Sequence, residues 1–240
     1  MSDKLVIIPT YNEKENIQAI IRAVLAMDDT FDILIVDDSS PDGTGDLVRA
    51  LFDESNGRLH LEVRTTKDGL GRAYVHGFKW ALANNYKYIF EMDADFSHNP
   101  NDLPRLYDAL ASGADVAVGS RYSNGVNVVN WPMERVLLSY FASKYVRVIT
   151  NLPVHDATAG FVGYKAEVLE ALGLDDIKFK GYGFQIEMKY KSWVKKFKIQ
   201  EVPIIFTDRT LGESKISSDI IGEAVFGVIS LRLRNMFGKL

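Results

Sequence analysis

The run 86-YKYIF-90 leads into 91-EMDADFSHNP-100, so an apolar segment of strand composition stops in three carboxylates, Glu91, Asp93 and Asp95, within five residues. A buried strand does not end in such a cluster without compensation, because an unpaired buried carboxylate is expensive. The segment reads as an interior strand whose carboxyl end faces a ligand or a cation. If neighbouring strands end in the same way, that reading fixes the fold class.

They do. Outward from this stretch, 4-KLVIIP-9, 31-FDILIVD-37, 59-LHLEV-63 and 114-ADVAVGS-120 are further apolar, β-branched runs. Helical patterns lie at 14-KENIQAIIRAVLA-26, 44-TGDLVRALF-52, 71-GRAYVHGFKWALA-83 and 102-DLPRLYDALA-111. Near-continuous strands alternating with helices predict an α/β fold with a mostly parallel, Rossmann-like sheet flanked by helices. The loop 39-SSPDGTG-45 opens one helix, and Asn101 is expected to cap another with Pro104 in its first turn. Ligands bind beyond the carboxyl ends of such strands. Those ends carry Pro9-Thr10-Tyr11-Asn12-Glu13, Asp37-Asp38, the acidic cluster and Ser120-Arg121-Tyr122.

The second half is less regular. Residues 132–149 read as a helix with Arg135, Lys144 and Arg147 among apolar side chains. A helix is expected near 183–196, a strand at 199-IQEVPIIF-206 and a helical tail over 217–240. The segment 159-AGFVGY-164 receives no assignment. The basic run 187-EMKYKSWVKKFK-198 reads as a solvated helix face. The 132–149 helix and the tail mix apolar and basic residues in the manner of interfacial amphipathic helices, with packing on the domain's own core an equal alternative for the tail. No linker or repeat breaks residues 1–240, so one domain is expected.

Composition narrows the function. A chain of 240 residues, 47% hydrophobic and 25% charged, suits one large α/β domain. With no cysteine there is no disulfide framework, thiolate nucleophile or cysteine zinc site. A net charge of -4 argues against nucleic acid as a partner. The apolar run in 1-MSDKLVIIPTYNE-13 is too short for a signal-peptide core, and 224-AVFGVISL-231 is too short for a membrane span. The expected location is cytoplasmic, with peripheral contact on the cytoplasmic face of the membrane.

Asp93 and Asp95 are the centre of the candidate chemistry. Side chains two apart on a strand share a face, with Cα atoms about 6.6 Å apart. Mg²⁺ usually takes one or two carboxylates and leaves other positions to substrate phosphates. Asp95, at a solvent-facing strand end, is favoured as the direct ligand; Asp93 would take the metal or a ribose. Two solvated turn residues are the competing reading, and a lone loop histidine such as His98 is more often not a ligand. A phosphatase nucleophile would belong on the first strand, whereas this motif ends the fourth. The stretch 69-GLGRAYVHG-77 imitates a dinucleotide fingerprint, but Tyr74 stands at the third glycine position. In 207-TDRTLGESKIS-217, Arg209 and Lys215 flank Gly212 and Ser214. Such a segment suits a lid supplying cations to a pyrophosphate, or is a polar loop.

Taken together, Pro9 to Glu13, 36-VDDSSPDGTG-45, 69-GLGRAY-74, 92-MDADFSH-98, 119-GSRY-122 and 207-TDRTLGESK-215 resemble, in order and spacing, the dolichol-phosphate (polyprenol-phosphate) mannose synthases. These are inverting family 2 glycosyltransferases of GT-A fold. The resemblance covers nearly the whole chain. It implies that Pro9, Tyr11, Glu13, Val36 and Asp38 hold the nucleoside of GDP-mannose. It implies that Asp93, Ala94 and Asp95 hold Mg²⁺ or Mn²⁺, ribose and sugar diphosphate, and that Arg121, Arg209 and Lys215 face phosphates or sugar. Arg121, Arg135 and Ser139 would bind the phosphate of a polyprenol-phosphate acceptor at the membrane surface. Ser97, two residues past the second Asp, would be a weak metal ligand. Val162 in 156-DATAGFV-162 stands where the family carries Arg, which alters the acceptor side.

A lipid monophosphate is largely a dianion at neutral pH and needs no general base. In-line attack on an α-linked donor would give a β-linked product. Three alternatives stand beside this one: a UDP-glucose-dependent enzyme on the same lipid, a transferase acting on a saccharide hydroxyl with Asp156 as its only candidate base, and a silent nucleotide-sugar or lipid-binding subunit.

Overall fold

A computed structural model describes residues 2–28, 30–181, 183–208 and 218–238. The first half alternates as expected: β1 (Lys4–Thr10), α1 (Ile17–Leu25), β2 (Asp32–Asp37), α2 (Thr44–Arg49), β3 (Leu59–Val63), α3 (Leu70–Ala83), β4 (Tyr88–Glu91), α4 (Leu103–Ala111) and β5 (Val116–Ser120). The second half adds β6 (Val128–Val129), α5 (Met133–Thr150), β7 (Val162–Lys165), α6 (Ala166–Ala171), α7 (Gly183–Val194), β8 (Ile199–Pro203), β9 (Phe206–Thr207) and α8 (Ser218–Met236).

Seven strands form one sheet in the order β3-β2-β1-β4-β7-β5-β8, and β6 pairs with β9 apart from it. Six of the seven run parallel, while β7 is antiparallel to both β4 and β5. The period-two alternation of a strand divides the core in two. Leu5, Ile7, Leu34 and Val36 face one apolar layer, and Val6, Ile8, Ile33 and Ile35 face the other. Gly77 lets α3 lie close on the first layer, since a Cβ there would stand 2.7 Å from Cγ2 of Ile7.

Four local expectations change. The unassigned 159–164 segment runs into β7, which slots between β4 and β5 and places Val162 opposite Glu91. The single strand expected at 199–206 is two, because β8 stays in the main sheet while β9 leaves it to pair with β6. Asn99 caps the short 3-10 turn Pro100–Asp102 that leads into α4, its side chain accepting from the Asn101 N–H at 3.1 Å, and the residue at the head of α4 itself is Asp102, so Asn101 is not the cap. The basic run is solvated only at its end: Gly183 to Ser192 are all buried, including Glu187, Lys189 and Lys191, whereas Lys195, Lys196 and Lys198 are exposed, and α8 packs against both α5 and α7.

The buried charges on α7 have specific partners. Lys189 Nζ donates to the Ala159 carbonyl at 2.6 Å and to Gln185 Oε1 at 3.2 Å, and Gln185 Nε2 donates to Glu91 Oε2 at 2.8 Å. Glu91 is thus engaged from α7 rather than by a ligand. Burial pushes its carboxyl up to about 8, against the pull of Lys189. Such a carboxyl holds its proton more tightly folded than unfolded. Its contribution to stability is full below the ordinary value of 4.5 and is lost as pH rises through about 8. Glu91→Gln abolishes that titration, so its melting temperature is expected to gain on wild type from about pH 5 to about pH 8. Parallel melting curves across that range would show that Glu91 does not titrate in the core.

Candidate active site

The carboxyl ends of β1, β2, β4 and β5 share one edge, and the loops beyond them are tied together by short polar side chains. Thr10 Oγ1 and Ser40 Oγ both donate to Asp37 Oδ1, at 2.8 and 2.6 Å, so Asp37 organises the turn after β2. The Asn12 N–H donates to Ser40 Oγ and the Glu13 N–H to Thr44 Oγ1, each at 3.0 Å. These bonds clip the loop of Tyr11 and Glu13 against the loop after Asp38. Tyr11 and Glu13 are half-buried there, and Pro9 is half-buried within β1. Val36 is fully buried in the first apolar layer, so its side chain faces the core. Asp38 is buried beside Arg64, whose Nη1 lies 3.3 Å from Oδ1. Burial raises the Asp38 carboxyl, and the charges of Arg64 and Lys67 oppose the rise.

Asp93 and Asp95 do not share a strand face. β4 ends at Glu91, and both residues lie in the turn that follows, with Phe96 at φ +60°. Asp95 is not solvent-facing: it is 7% exposed, and its Oδ1 accepts the Ser97 N–H at 3.0 Å. The Asp93 side chain is the open one, 39% exposed, with Tyr74 Oη 3.5 Å from its Oδ1. Tyr74 is the residue that spoils the dinucleotide fingerprint, and its hydroxyl here approaches the acidic turn. Ala94 is buried between the two aspartates.

His98 fixes the turn from below. It is almost fully buried, its Nδ1 accepts the Asp93 N–H at 3.1 Å, and its ring stacks on Phe161 at 4.9 Å. Burial lowers its pKa, consistent with a neutral ring that can accept at Nδ1. Among the described residues no three His, Cys, Asp or Glu side chains are grouped to hold a metal. A cation at this turn would draw on two carboxylates and take its remaining oxygens from a ligand, a donor set that suits Mg²⁺ or Mn²⁺ with substrate phosphates.

Arg121 and Asp156 form the other half of the site. Arg121 Nε and Nη2 donate to Asp156 Oδ2 and Oδ1 at 2.7 and 2.6 Å, and the Arg121 N–H donates to Oδ2 at 2.9 Å. Burial would raise the Asp156 carboxyl, but the charge and hydrogen bonds of Arg121 more than offset it and hold it low. Glu201 anchors the same segment, accepting from Ser120 Oγ and from the Asp156 N–H at 2.7 and 3.0 Å. The Arg121 guanidinium also faces Trp131 at 5.5 Å, and the Arg135 guanidinium lies over the same ring at 4.1 Å. Trp131 thus gathers two of the residues assigned to the acceptor phosphate. Ser139, one turn beyond Arg135 on α5, is half-buried. Arg135 Nη1 donates to Asp208 Oδ1 at 2.8 Å, just before the segment of Arg209 and Lys215, which lies outside the described residues. Val162 is fully buried in β7, facing the first apolar layer.

Sequence reasoning missed Trp131, His98 as a support, and the Arg121–Asp156 pair. Trp131 stands directly before Pro132 at the head of a helix bearing Arg135, a cue for an aromatic–guanidinium contact.

A mostly parallel sheet with a polar carboxyl edge and an Asp-x-Asp turn after its fourth strand is the GT-A arrangement of nucleotide-sugar transferases. The chain belongs to glycosyl transferase family 2, whose profile matches residues 5–173. It is similar to the polyprenol monophosphomannose synthase of Mycolicibacterium smegmatis, 47% identical over 235 residues covering 98% of this chain and 89% of that protein. It is also similar to the undecaprenyl-phosphate mannosyltransferase of Micrococcus luteus, 48% identical over 226 residues, 93% of this chain and 91% of that protein. A mannosyltransferase of Pyrobaculum calidifontis, solved with GDP-Man and Mn²⁺, shares the fold at a TM-score of 0.60 and 16% identity, over 99% of this chain and 72% of that one.

Proposed function

We propose that this chain transfers mannose from GDP-mannose to a polyprenol phosphate with inversion, giving a β-linked polyprenyl-phosphate mannose. The observation that carries the reading is the 47% identity, over 98% of the chain, to a relative named for that synthesis. Asp93 and Asp95 would hold Mg²⁺ or Mn²⁺ against the donor diphosphate. When bound, such a cation neutralises charge on the departing nucleoside diphosphate. Pro9, Tyr11, Glu13 and Asp38 line the nucleoside side, with Val36 and Ala94 contributing backbone only. Arg121, Arg135 and Ser139 receive the acceptor phosphate around Trp131. Arg209 and Lys215 would act on the donor phosphates, an assignment that rests on the sequence motif.

The acceptor dianion brings its own nucleophile, so the protein must align it and exclude water. The saccharide-hydroxyl alternative needs a base, and Asp156 is poorly suited to that role. Both its oxygens already accept from Arg121, and it is fully buried. Incubation with radiolabelled GDP-mannose, polyprenol phosphate and Mg²⁺ or Mn²⁺ should move label into organic solvent. Label transferred from UDP-glucose instead, or only to a soluble sugar, would replace this reading.

The acceptor's lipid places the work at a peripheral membrane site. On α5, Met133, Leu137, Phe141 and Val148 recur at helical spacing with Lys144 among them, and each of the four apolar side chains is between 47% and 70% exposed. An apolar stripe edged by cations suits the interface of an anionic leaflet. Among the described residues no helix is long and apolar enough to cross a membrane. The protein is therefore expected to sediment with anionic liposomes at low salt and to be released at high salt. Lys144→Glu with Arg147→Glu should reduce sedimentation and lipid-acceptor turnover together while leaving GDP affinity intact. Unchanged sedimentation in that variant would move the docking surface off α5.

A further inference from the structure

We propose that Lys189, buried on α7, is a positioning residue for the acceptor phosphate, acting through the loop that holds Arg121. This rests on the acceptor reading above and adds a residue that composition alone assigns to a solvated face. Lys189 is fully buried, and its neighbours Ile186, Met188 and Tyr190 belong to the first apolar layer. A buried ammonium is costly there, and an apolar side chain of similar volume often replaces a buried charge without loss of stability. The charge therefore calls for a role other than filling the core.

Its partners point to one. Lys189 Nζ donates to the Ala159 carbonyl at 2.6 Å, a short, charge-assisted bond, and Gln185 Oε1 orients it by accepting at 3.2 Å. Ala159 lies in the loop that supports Arg121. Asp156 accepts the paired hydrogen bonds of the guanidinium, and Thr158 Oγ1 accepts from Arg121 Nη2 at 2.9 Å.

The loop is clamped at both ends. At the near end Glu201 accepts from the His155 and Asp156 N–H groups, at 2.9 and 3.0 Å. At the far end, one residue past Thr158, Lys189 holds the Ala159 carbonyl. The clamps come from different elements, β8 and α7, so together they fix the loop against the sheet and the core. Releasing the far clamp would let the loop shift and carry the Arg121 guanidinium with it. A displacement of about 1 Å at a group that aligns a reactant can cost about 10²-fold in rate. The charge acts in the same direction: burial would raise the Asp156 carboxyl, and Arg121 first, Lys189 after it, hold it low.

Steady-state kinetics with GDP-mannose and undecaprenyl phosphate in detergent micelles test the assignment. Lys189→Met should raise the undecaprenyl phosphate KM by about tenfold, the scale of one displaced charged contact. The GDP-mannose KM, the GDP Kd and the melting temperature should stay close to wild type. Lys189→Gln keeps an N–H donor without the charge, should fall between the two, and serves if the methionine variant does not fold. Thr158→Val, which cuts another link between loop and guanidinium, should show the same split between substrates. Combined with Lys189→Met it should raise the acceptor KM by less than the product of the separate effects. KM increases shared equally by donor and acceptor, or a loss confined to melting temperature, would make Lys189 purely structural and overturn the proposal. An acceptor KM unchanged in both Lys189 variants would overturn it as well, leaving the acceptor reading in place. Effects that multiply fully would overturn the route through the loop. A wild type that transfers no mannose to undecaprenyl phosphate would sink the acceptor reading and this inference together.

Discussion

Asp93→Asn and Asp95→Asn are each expected to lower turnover by about 10²–10³-fold, the range for removing one preorganised charge-stabilising group. The fold should survive both changes. Asp93 is partly open to solvent, and an asparagine at 95 keeps an oxygen that can accept the Ser97 N–H now bonded to Asp95 Oδ1 at 3.0 Å. The loss should therefore appear in turnover under controlled metal, with a melting temperature close to wild type. His98 provides a contrast, since it holds the Asp93 backbone and not a ligand. Near-wild-type turnover in either asparagine variant, with metal buffered, would remove the acidic turn from the chemistry.

Asp156→Ala should be among the most destabilising single changes in the molecule. Its carboxylate accepts three hydrogen bonds from Arg121 alone, and Arg121 is itself 7% exposed. Removing it strands a buried guanidinium, which typically costs about 3–5 kcal/mol. For a domain of this size that is roughly 6–20 °C in melting temperature. Combining it with Arg121→Met should recover much of the stability, because no uncompensated charge then remains, while lipid-acceptor turnover stays lost. A double-mutant cycle with no coupling would mean that the pair is not the support of this half of the site.

The parallel half of the fold was legible because its strands are buried on both faces and read as unbroken apolar runs between helices. β7 escaped notice because 162-VGYK-165 is short, contains Gly163 and returns antiparallel, so no crossover pattern announces it. The buried face of α7 escaped for a different reason. Its lysines and glutamate look solvated by composition, and only tertiary partners such as the Ala159 carbonyl reveal otherwise. In the site, the residue types at the strand ends were readable from position alone. Pairings were not. Glu91 and Asp93 stand two residues apart in the chain, yet one faces α7 and the other faces the ligand edge. Likewise Arg121 and Asp156 are brought together only by the return of the chain as β7.

That return also governs how an enzyme docked through α5 would meet its acceptor. The excursion from the end of β5 to the start of β7 leaves the sheet and re-enters it on hydrogen-bonded neighbours. A segment fastened at two adjacent points behaves as a bracket, not as an arm on a pivot. Tilt between bilayer and sheet would be set by this mounting, and Arg121, at one of its feet, would wait at a fixed depth for whatever phosphate reaches it. Such a device gauges the headgroup end of a lipid and leaves the tail to the bilayer, so acceptors of quite different isoprenoid length should be handled alike.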